Sequence, residues 1–266
     1  MDSTMTVTRA QALRALHQPG NPVILVNVWD VASARVVAAQ PGVQALATAS
    51  WSVSAAAGFE DGGGMPLEVA LEAARRIAAA ATLPVSVDFE KGYAATVDGV
   101  YENTLRLIET GAVGLNLEDS IGSEDRALWS VAEASERVAA VRRAADETGV
   151  PLVINARTDV LVGGGTVVDA IARGKAYLAA GADCIFVLAA IGPHLEEIVA
   201  GIPGPVSVLA GAGAPSIRDL AAAGVARVSF GPGPMGVAYA ALARLVADIA
   251  AGNPGAPDLA YRPGRP

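Results

Sequence analysis

Short apolar runs recur eight times along this chain, and segments with helical periodicity separate them. Most of these runs are continuously apolar rather than alternating, which is typical of strands buried on both faces of a parallel sheet. The predicted strands are Val23–Val28, Val43–Ala49, Val85–Phe89, Val113–Leu117, Leu152–Asn155, Asp183–Leu188, Val206–Leu209 and Arg227–Phe230. Eight such strands alternating with eight helices predict an α/β protein, a single-domain (β/α)₈ TIM barrel. A doubly wound sheet is the alternative, although no run is followed by a convincing G-x-G-x-x-G turn.

The helical segments are rich in alanine or carry apolar residues on one face. After a short N-terminal helix they are predicted at Val31–Gln40, Leu67–Ala81, Val97–Thr110, Val131–Thr148, Thr166–Ala180, His194–Ala200, Ser216–Ala223 and Met235–Ala250. The N-terminal helix is predicted at Thr8–His17. We expect the barrel to span residues 1–251, and the Pro- and Gly-rich residues 252–266 to form an extended C-terminal arm.

Composition narrows the range of partners. A net charge of −8 disfavours nucleic acid and anionic membranes. It does not disfavour a small anionic substrate, because a bound metal ion reverses the local field. The single cysteine, Cys184, lies in an apolar run, so we expect an inert buried thiol and a cytoplasmic protein. No apolar run reaches membrane-spanning length, and Met1–Arg9 lacks the hydrophobic core of a signal peptide.

Acidic residues close two neighbouring runs. Asp88 and Glu90 stand at positions i and i+2, so both point to the same side of the third strand. Glu118 closes the fourth run, and Asp61 lies in a Gly-rich loop after the second. Like charges placed this close repel one another unless a cation lies between them, and hard divalent cations take oxygen ligands. One acid at a strand end could simply cap a helix, but this cluster, with Arg157 ending the fifth run, predicts a site.

Other polar and aromatic residues at the strand ends are candidates for binding a substrate, because the active site of such a barrel lies there. They are Trp29, Asp30, Ser50, Trp51, Ser52, Asn155 and Arg157. For Arg157 an incoming carboxylate is one partner, and a structural ion pair is the other interpretation. His17 and His194 are predicted to lie away from the acids, so a histidine base is not expected.

Five stretches of the chain, taken in order, carry a family likeness. They are residues 27–35, 49–62, 87–93, 116–119 and 155–159, and they span most of residues 22–160. Together they resemble the isocitrate lyase / phosphoenolpyruvate mutase superfamily. The resemblance implies a (β/α)₈ barrel that forms a homo-oligomer, a dimer or tetramer in which paired subunits swap the last helix.

The same resemblance implies roles for the acidic cluster. It implies a Mg²⁺ ion, or Mn²⁺, held by Asp88, Glu90 and Glu118, with Asp61 as a supporting carboxylate. Small 2-oxo or 2-hydroxy acids are the implied substrates. Their carboxylate would be held by the backbone amides of Ser50 and Trp51 and by Arg157.

One segment departs from that family. The loop after the fourth strand carries a Lys-Lys-Cys-Gly-His type motif in isocitrate-lyase-like members, and lysine and asparagine in the mutase. Residues 119–129 of this chain contain no Cys, Lys, His or Asn. We therefore do not expect cleavage of isocitrate or methylisocitrate, or true mutase chemistry. The loop carries Ser120, Ser123, Glu124, Asp125 and Arg126 instead, and we expect it to act as a lid.

The sequence thus favours a Mg²⁺-dependent carbon–carbon lyase. A metal ion bound by the carboxylate and oxo oxygens of a 2-oxo acid stabilises an enolate, which assists decarboxylation or C–C cleavage. Glu118 and Arg157 are the candidate catalytic residues. Three alternatives stay open: C–P bond chemistry on phosphonopyruvate, a non-catalytic barrel that binds 2-oxo acids, and a phosphate-binding barrel that uses the glycines after the last two strands.

Overall fold

Parallel strands form the wall of the molecule. The computed structural model describes residues 3–122, 127–253 and 255. Within them the strands are β1 (Val23–Leu25), β2 (Asn27–Val28), β3 (Leu46–Thr48), β4 (Val85–Asp88), β5 (Gly114–Glu118), β6 (Val153–Thr158), β7 (Cys184–Val187), β8 (Val206–Leu209) and β9 (Arg227–Ser229). The neighbours run in the order β1-β9-β8-β7-β6-β5-β4-β3-β2, all parallel. Since only Val26 separates β1 from β2, the two ends of the sheet meet and the barrel closes, which confirms the predicted (β/α)₈ fold.

Helices follow the strands on the outside of the barrel. They are α1 (Ser3–Ala15), α2 (Val31–Ala38), α3 (Ser50–Ala57), α4 (Leu67–Ala80), α5 (Val97–Glu109), α6 (Val131–Thr148), α7 (Val167–Ala179), α8 (Leu195–Gly201), α9 (Ile217–Ala222) and α10 (Gly233–Ala250). Side-chain caps fix several starts: the Ser130 hydroxyl accepts from the Glu133 amide, and the Glu133 carboxylate accepts from the Ser130 amide. In the described ranges, no helix is long and apolar enough to cross a membrane.

Several predicted boundaries differ from the structure: the N-terminal helix spans Ser3–Ala15 instead of Thr8–His17, and the fifth predicted strand spans Val153–Thr158 instead of Leu152–Asn155. No helix was predicted between the second strand and Leu67, but the alanine-rich stretch Ser50–Ala57 is helical and ends at Gly58, whose φ is +81°. That left-handed conformation suits glycine and commonly stops a helix. The second strand is shorter than predicted, Leu46–Thr48 instead of Val43–Ala49. Most of the predicted arm lies outside the described residues, as do Ser123, Glu124, Asp125 and Arg126 of the predicted lid, so both remain predictions.

The lower end of the barrel, at the N-terminal ends of the strands, is closed by α1. Leu13 is fully buried, and a Cβ added at Gly114 would lie 2.7 Å from its Cδ2 atom. His17 follows α1 and is also buried, with its Nε2 atom 3.5 Å from Nη1 of Arg227. Arg227 in turn donates to the Asn116 and Ser86 side chains, at 3.1 and 3.3 Å. We call these four buried residues, Ser86, Asn116, Arg227 and His17, the floor cluster.

Candidate active site

A cavity of about 220 Å³ opens at the C-terminal ends of β4, β5 and β6. Among the described residues that line it, six side chains ionise: Asp61, Glu90, Lys91, Glu118, Arg157 and Asp159. The register explains why they meet, because Glu118 of β5 is paired directly with Arg157 of β6. The loop before α4 and the ends of β4, β5 and β6 therefore bring acidic and basic side chains into one cavity.

Asp88 lies beside this cavity and is held by the end of β3. Its amide donates to the Thr48 hydroxyl at 2.8 Å, and its Oδ2 atom accepts from the Ser50 amide at 2.9 Å. Its Oδ1 atom is buried and has no hydrogen-bond partner among the residues that the structure describes. Because an unpaired buried carboxylate oxygen is costly, this atom marks a place for a ligand.

Glu90 stands in an unusual backbone conformation. Its φ is +47°, in the left-handed region that costs a residue with a side chain about 1–3 kcal/mol and that clusters at functional sites. Its Oε1 atom accepts from the Tyr93 hydroxyl at 2.8 Å, while Oε2 is buried without a partner in the described part of the chain. Burial and the nearby charges of Asp88, Asp61 and Glu118 raise the pKa of Glu90 to about 7, although the Tyr93 bond opposes them.

Arg157 is bound by carboxylates on two sides. Its Nε and Nη2 atoms donate to the two oxygens of Asp159 at 2.6 and 2.7 Å, and Nη1 lies 3.0 Å from Oε2 of Glu118. Burial by itself would lower the pKa of Arg157, but the charges of Glu118 and Asp159 outweigh it and raise that pKa. Burial raises the pKa of Glu118 even though Arg157 opposes it. A guanidinium has five N–H donors, so these contacts leave two for a ligand.

Asp119 follows Glu118 but faces the other way. Its Oδ2 atom accepts from Tyr177 at 2.7 Å and from Arg173 at 3.0 Å, both on α7, and its Oδ1 atom accepts from the Asp159 amide. Successive residues of a strand point to opposite faces. Of these two adjacent acids, Glu118 therefore lines the cavity, and Asp119 connects the end of β5 to α7 through hydrogen bonds.

The structure places the predicted substrate-binding residues in different surroundings. Ser50 and Arg157 line the cavity with Glu118. Asn155 is buried below it and donates to Asn116 at 2.8 Å. Ser52 is buried and Trp51 is 48 % exposed, and neither lines the cavity. The amide of Ser50 already donates to Asp88.

Trp29 and Asp30 lie elsewhere. They line a separate groove of about 690 Å³ between α2, α3 and α4. The Trp29 ring packs edge-on against Tyr239 of α10, with ring centroids 6.4 Å apart. Asp30 caps α2 by accepting from the Ser33 amide at 2.7 Å. The structure therefore does not bring this pair together with the acidic cluster.

Three residues in or beside the cavity were not predicted from the sequence to have a role. They are Tyr93, which orients Glu90, Asp159, which binds Arg157 through two oxygens, and Lys91. Lys91 and Tyr93 lie in the stretch 87–93 and Asp159 in the stretch 155–159, so the available signal was their proximity to the acids and to Arg157. Their partners depend on the turn after β4 and could not be identified from spacing.

The chemistry of the donors suits a hard cation. Asp88 and Glu90 each present a buried carboxylate oxygen without a partner in the described ranges, and Asp61 and Glu118 stand close enough to Glu90 to raise its pKa. Across residues 3–122, 127–253 and 255, no three Asp, Glu, His or Cys side chains are already gathered around one point that could hold a metal ion. Water is a common ligand of Mg²⁺, which usually takes only one or two protein carboxylates, so this donor set fits such an ion with water completing its shell.

The fold and this cavity define a (β/α)₈ barrel built like an enzyme, with its charged residues gathered at the C-terminal ends of the strands. The family model for phosphoenolpyruvate phosphomutase matches residues 13–250. The chain belongs to this family and so to the isocitrate lyase / phosphoenolpyruvate mutase superfamily, as the motifs predicted.

Individual relatives differ in their chemistry. The structure of a candidate phosphonomutase from Burkholderia cenocepacia J2315 is 44 % identical, with a TM-score of 0.87 over 91 % of this chain and 99 % of that one. An oxaloacetate decarboxylase of Rhodopseudomonas palustris (strain BisB18) is 31 % identical over 259 residues, 93 % of this chain and 87 % of the relative. A phosphonopyruvate hydrolase, solved in complex with oxalate and Mg²⁺, is 25 % identical, with a TM-score of 0.83 over 94 % of this chain and 89 % of that one. These comparisons support an enzyme from a superfamily of lyases and mutases.

Proposed function

We propose that this protein is a Mg²⁺-dependent carbon–carbon lyase that decarboxylates or cleaves a small 2-oxo or 2-hydroxy acid. The observation that carries the proposal is the pair of buried carboxylate oxygens of Asp88 and Glu90, beside Arg157, that have no partner among the described residues. The cavity suits a small acid rather than a large cofactor. The oxaloacetate decarboxylase relative and the relative bound to oxalate and Mg²⁺ support the same substrate class.

The charges of the cavity argue for a cation. Of the described residues, four acids and two bases line it, and Asp88 adds another acid beside it. An anionic substrate would be repelled by this excess of negative charge unless a positive ion is bound with it. Asp88, Glu90 and Glu118 would hold that ion, with Asp61 in support. When bound, Mg²⁺ would supply Lewis-acid stabilisation of the negative charge that develops on the oxo oxygen.

The protein's own residues would orient the substrate. Within the described ranges Arg157 keeps two N–H donors that can bind the substrate carboxylate, while Asp159 holds its guanidinium in place. Glu118 lies 3.0 Å from Arg157 and faces the cavity, so it is the candidate for holding or moving a proton at the reacting carbon. Decarboxylation needs no proton removed in the step that breaks the bond, which suits a site without a thiol or histidine base among its described residues.

Substitution of Asp88 tests the proposal. Asp88→Ala should abolish Mg²⁺-dependent binding of oxalate in calorimetric titrations and the release of pyruvate from oxaloacetate, while the circular dichroism spectrum stays that of the wild type. Asp98→Ala is the matched control, because that carboxylate is exposed on α5. Unchanged Mg²⁺ and oxalate binding in Asp88→Ala would show that the site is misassigned.

Carbon–phosphorus chemistry is the second candidate. It is favoured by the likeness to a candidate phosphonomutase at 44 % identity and to a phosphonopyruvate hydrolase. Release of inorganic phosphate from phosphonopyruvate, with no pyruvate released from oxaloacetate, would select it. Metal-dependent binding of both acids without turnover would instead support a non-catalytic barrel.

We further propose that the protein forms a homo-oligomer through α10. Five large apolar side chains of this helix are half or more exposed: Val237, Tyr239, Leu242, Val246 and Ile249. Tyr239, Leu242, Val246 and Ile249 fall on one side of the helix at 3.6-residue periodicity, an exposed apolar patch of the kind that marks an interaction surface, and a second copy that swaps the helix would bury it. Leu242→Glu should reduce the mass measured by light scattering, whereas Val168→Glu, on the exposed face of α7, should not.

The cytoplasm is the proposed location. Its support is the single cysteine, which is buried in β7 and leaves no partner for a disulfide within the chain. Cell fractionation with an antibody would test it.

A further inference from the structure

Lys91 is a cation of the cavity that the proposed function does not use. The chain contains only two lysines, Lys91 and Lys175, against seventeen arginines. Lys175 lies exposed on α7, while Lys91 lines the cavity beside Glu90. One of the two lysine ammonium groups in the whole sequence is thus placed at the candidate site.

The position of its ammonium group is set by two loops. The Nζ atom donates to the carbonyl oxygens of Ile121 at 3.2 Å and Gly62 at 3.4 Å. Gly63 leaves room for it, because a Cβ added there would lie 3.2 Å from Nζ, and the φ of +106° at Gly63 suits glycine alone. Lys91 therefore lies between the loop before α4 and the loop after β5.

The electrostatic state of Lys91 differs from that of Arg157. Arg157 is matched by Glu118 and Asp159. Among the described residues, Lys91 forms no ion pair, and both of its hydrogen bonds are long and go to neutral carbonyl groups. An ammonium has three N–H donors, so one is left for a ligand. Its positive charge is available to an anion in the cavity.

The two ends of the cavity differ in depth, and this difference indicates which part of a substrate Lys91 would contact. Asp88 and Glu90 carry their unpartnered oxygens in buried positions, so the oxo acid end of a substrate lies deep in the cavity. Lys91 reaches the Ile121 carbonyl at an exposed contact, so it stands toward the rim. We propose that Lys91 binds the distal acidic group of a dianionic 2-oxo acid, and so selects a dicarboxylate or phosphono acid over a monoacid. This assignment rests on the proposed function.

Two ligands of different length test it. Oxalate has no distal group beyond the oxo acid end, whereas 3,3-difluorooxaloacetate carries a second carboxylate. Both are titrated calorimetrically with Mg²⁺ into the wild type, Lys91→Met, Lys91→Arg and the control Lys175→Met. Methionine keeps an unbranched side chain, one atom shorter than that of lysine, without the charge. Lys91→Met should bind difluorooxaloacetate at least about tenfold more weakly and oxalate within about twofold of the wild type, because only the first loses a charged hydrogen bond. Lys91→Arg should retain most of the wild-type difference in affinity between difluorooxaloacetate and oxalate. Lys175→Met should retain all of that difference.

The remaining outcomes separate the two proposals. Equal weakening of both ligands by Lys91→Met would overturn the inference and make Lys91 a latch between the loops at Gly62 and Ile121. An unchanged affinity for difluorooxaloacetate would also overturn it. Wild-type protein that binds oxalate with Mg²⁺ but rejects difluorooxaloacetate would overturn the inference alone. Wild-type protein that binds neither ligand would overturn the proposed function and the inference with it.

Discussion

Two arginines lie inside the same barrel in opposite electrostatic surroundings. Arg157, at the mouth, contacts two carboxylates, Glu118 and Asp159, within 3.0 Å. Arg227, in the floor cluster, is 1 % exposed, and its hydrogen bonds within the described residues go to the neutral groups of Ser86, Asn116 and His17. In the same part of the chain its Nε atom has no partner at all. Burial accordingly lowers the pKa of Arg227 to about 10, whereas the pKa of Arg157 is raised.

The difference shows how one barrel separates function from structure. At the mouth the charges are paired but keep free donors and acceptors, which is what ligand binding requires. At the floor the charge of Arg227 is buried without a counter-ion among the described residues. Burial of an unpaired charge destabilises the charged form of the side chain. We therefore expect changes at the mouth to alter activity and changes at the floor to alter stability.

The largest effect is expected at Arg157. Arg157→Met should reduce kcat/KM for oxaloacetate by about 1000-fold, or ~4 kcal/mol, because the substrate carboxylate loses its guanidinium partner. Arg157→Lys should still lose at least about tenfold, since an ammonium does not reproduce a planar two-point contact. The control is Arg142→Lys, at a half-buried arginine that pairs with Asp183. A wild-type kcat/KM in Arg157→Lys would make the mouth arginine structural, and the contrast with Arg227 would fail.

At the floor, the free energy of unfolding should change instead. Arg227→Ala should destabilise the fold by about 3–5 kcal/mol, because a large buried side chain is replaced by a cavity. Arg227→Met should cost less than about 2 kcal/mol, because it refills the space and removes an unpaired buried charge. Urea unfolding measures both. Equal destabilisation by Ala and Met would mean that the charge itself holds the floor together.

The floor should also make stability depend on pH. Burial and the charges of Arg227 and Arg14 lower the pKa of His17 to about 4, although the Leu13 carbonyl opposes them. An unfolded histidine titrates near about 6.5, so between those values the unfolded chain binds more protons than the folded one. The contribution of His17 to the free energy of unfolding should therefore fall as the pH drops from about 6.5 to 4, by up to about 3 kcal/mol. The raised pKa of Glu90, about 7, acts in the opposite sense over this range, so the effect of His17 is measured as the difference between the wild type and a His17 variant.

Urea titrations across that pH range check this dependence. His17→Gln should lose less stability toward pH 4 than the wild type does, while the profile of His194→Gln, a change at an exposed histidine, should match that of the wild type. A profile that His17→Gln does not alter would assign the loss of stability to other groups.

The smallest effect is expected at Cys184. Burial raises the pKa of this thiol to about 12 although the charge of Arg227 opposes it, and the side chain is fully enclosed in β7. Thiol-blocking reagents should leave activity and stability unchanged in the folded protein. Rapid loss of activity without unfolding would show that the barrel interior is open to reagents, and would weaken the division between mouth and floor.

The pattern of residues along the chain was enough to predict the barrel and the position of its acids. Continuous apolar runs report burial on both faces, and parallel strands of a barrel all end at the same rim. Asp88, Glu90, Glu118 and Arg157 could therefore be placed near one another from their positions at the strand ends. The hydrophobic periodicity of a strand or helix depends only on residues close together in the sequence. It can therefore be recognised without knowing the fold.

Only the tertiary structure decided which groups these side chains meet. The partners of Arg227 are residues 17, 86 and 116, which are far from it in the sequence and meet only when the barrel closes. The turn at Glu90 directs Lys91 toward the loops at Gly62 and Ile121, and Trp29 and Asp30 belong to another groove because α3 and α4 form its walls. Sequence spacing specifies the face of an element, but contacts between distant elements depend on register and on the paths of the loops. Those are set by the packing of the whole chain.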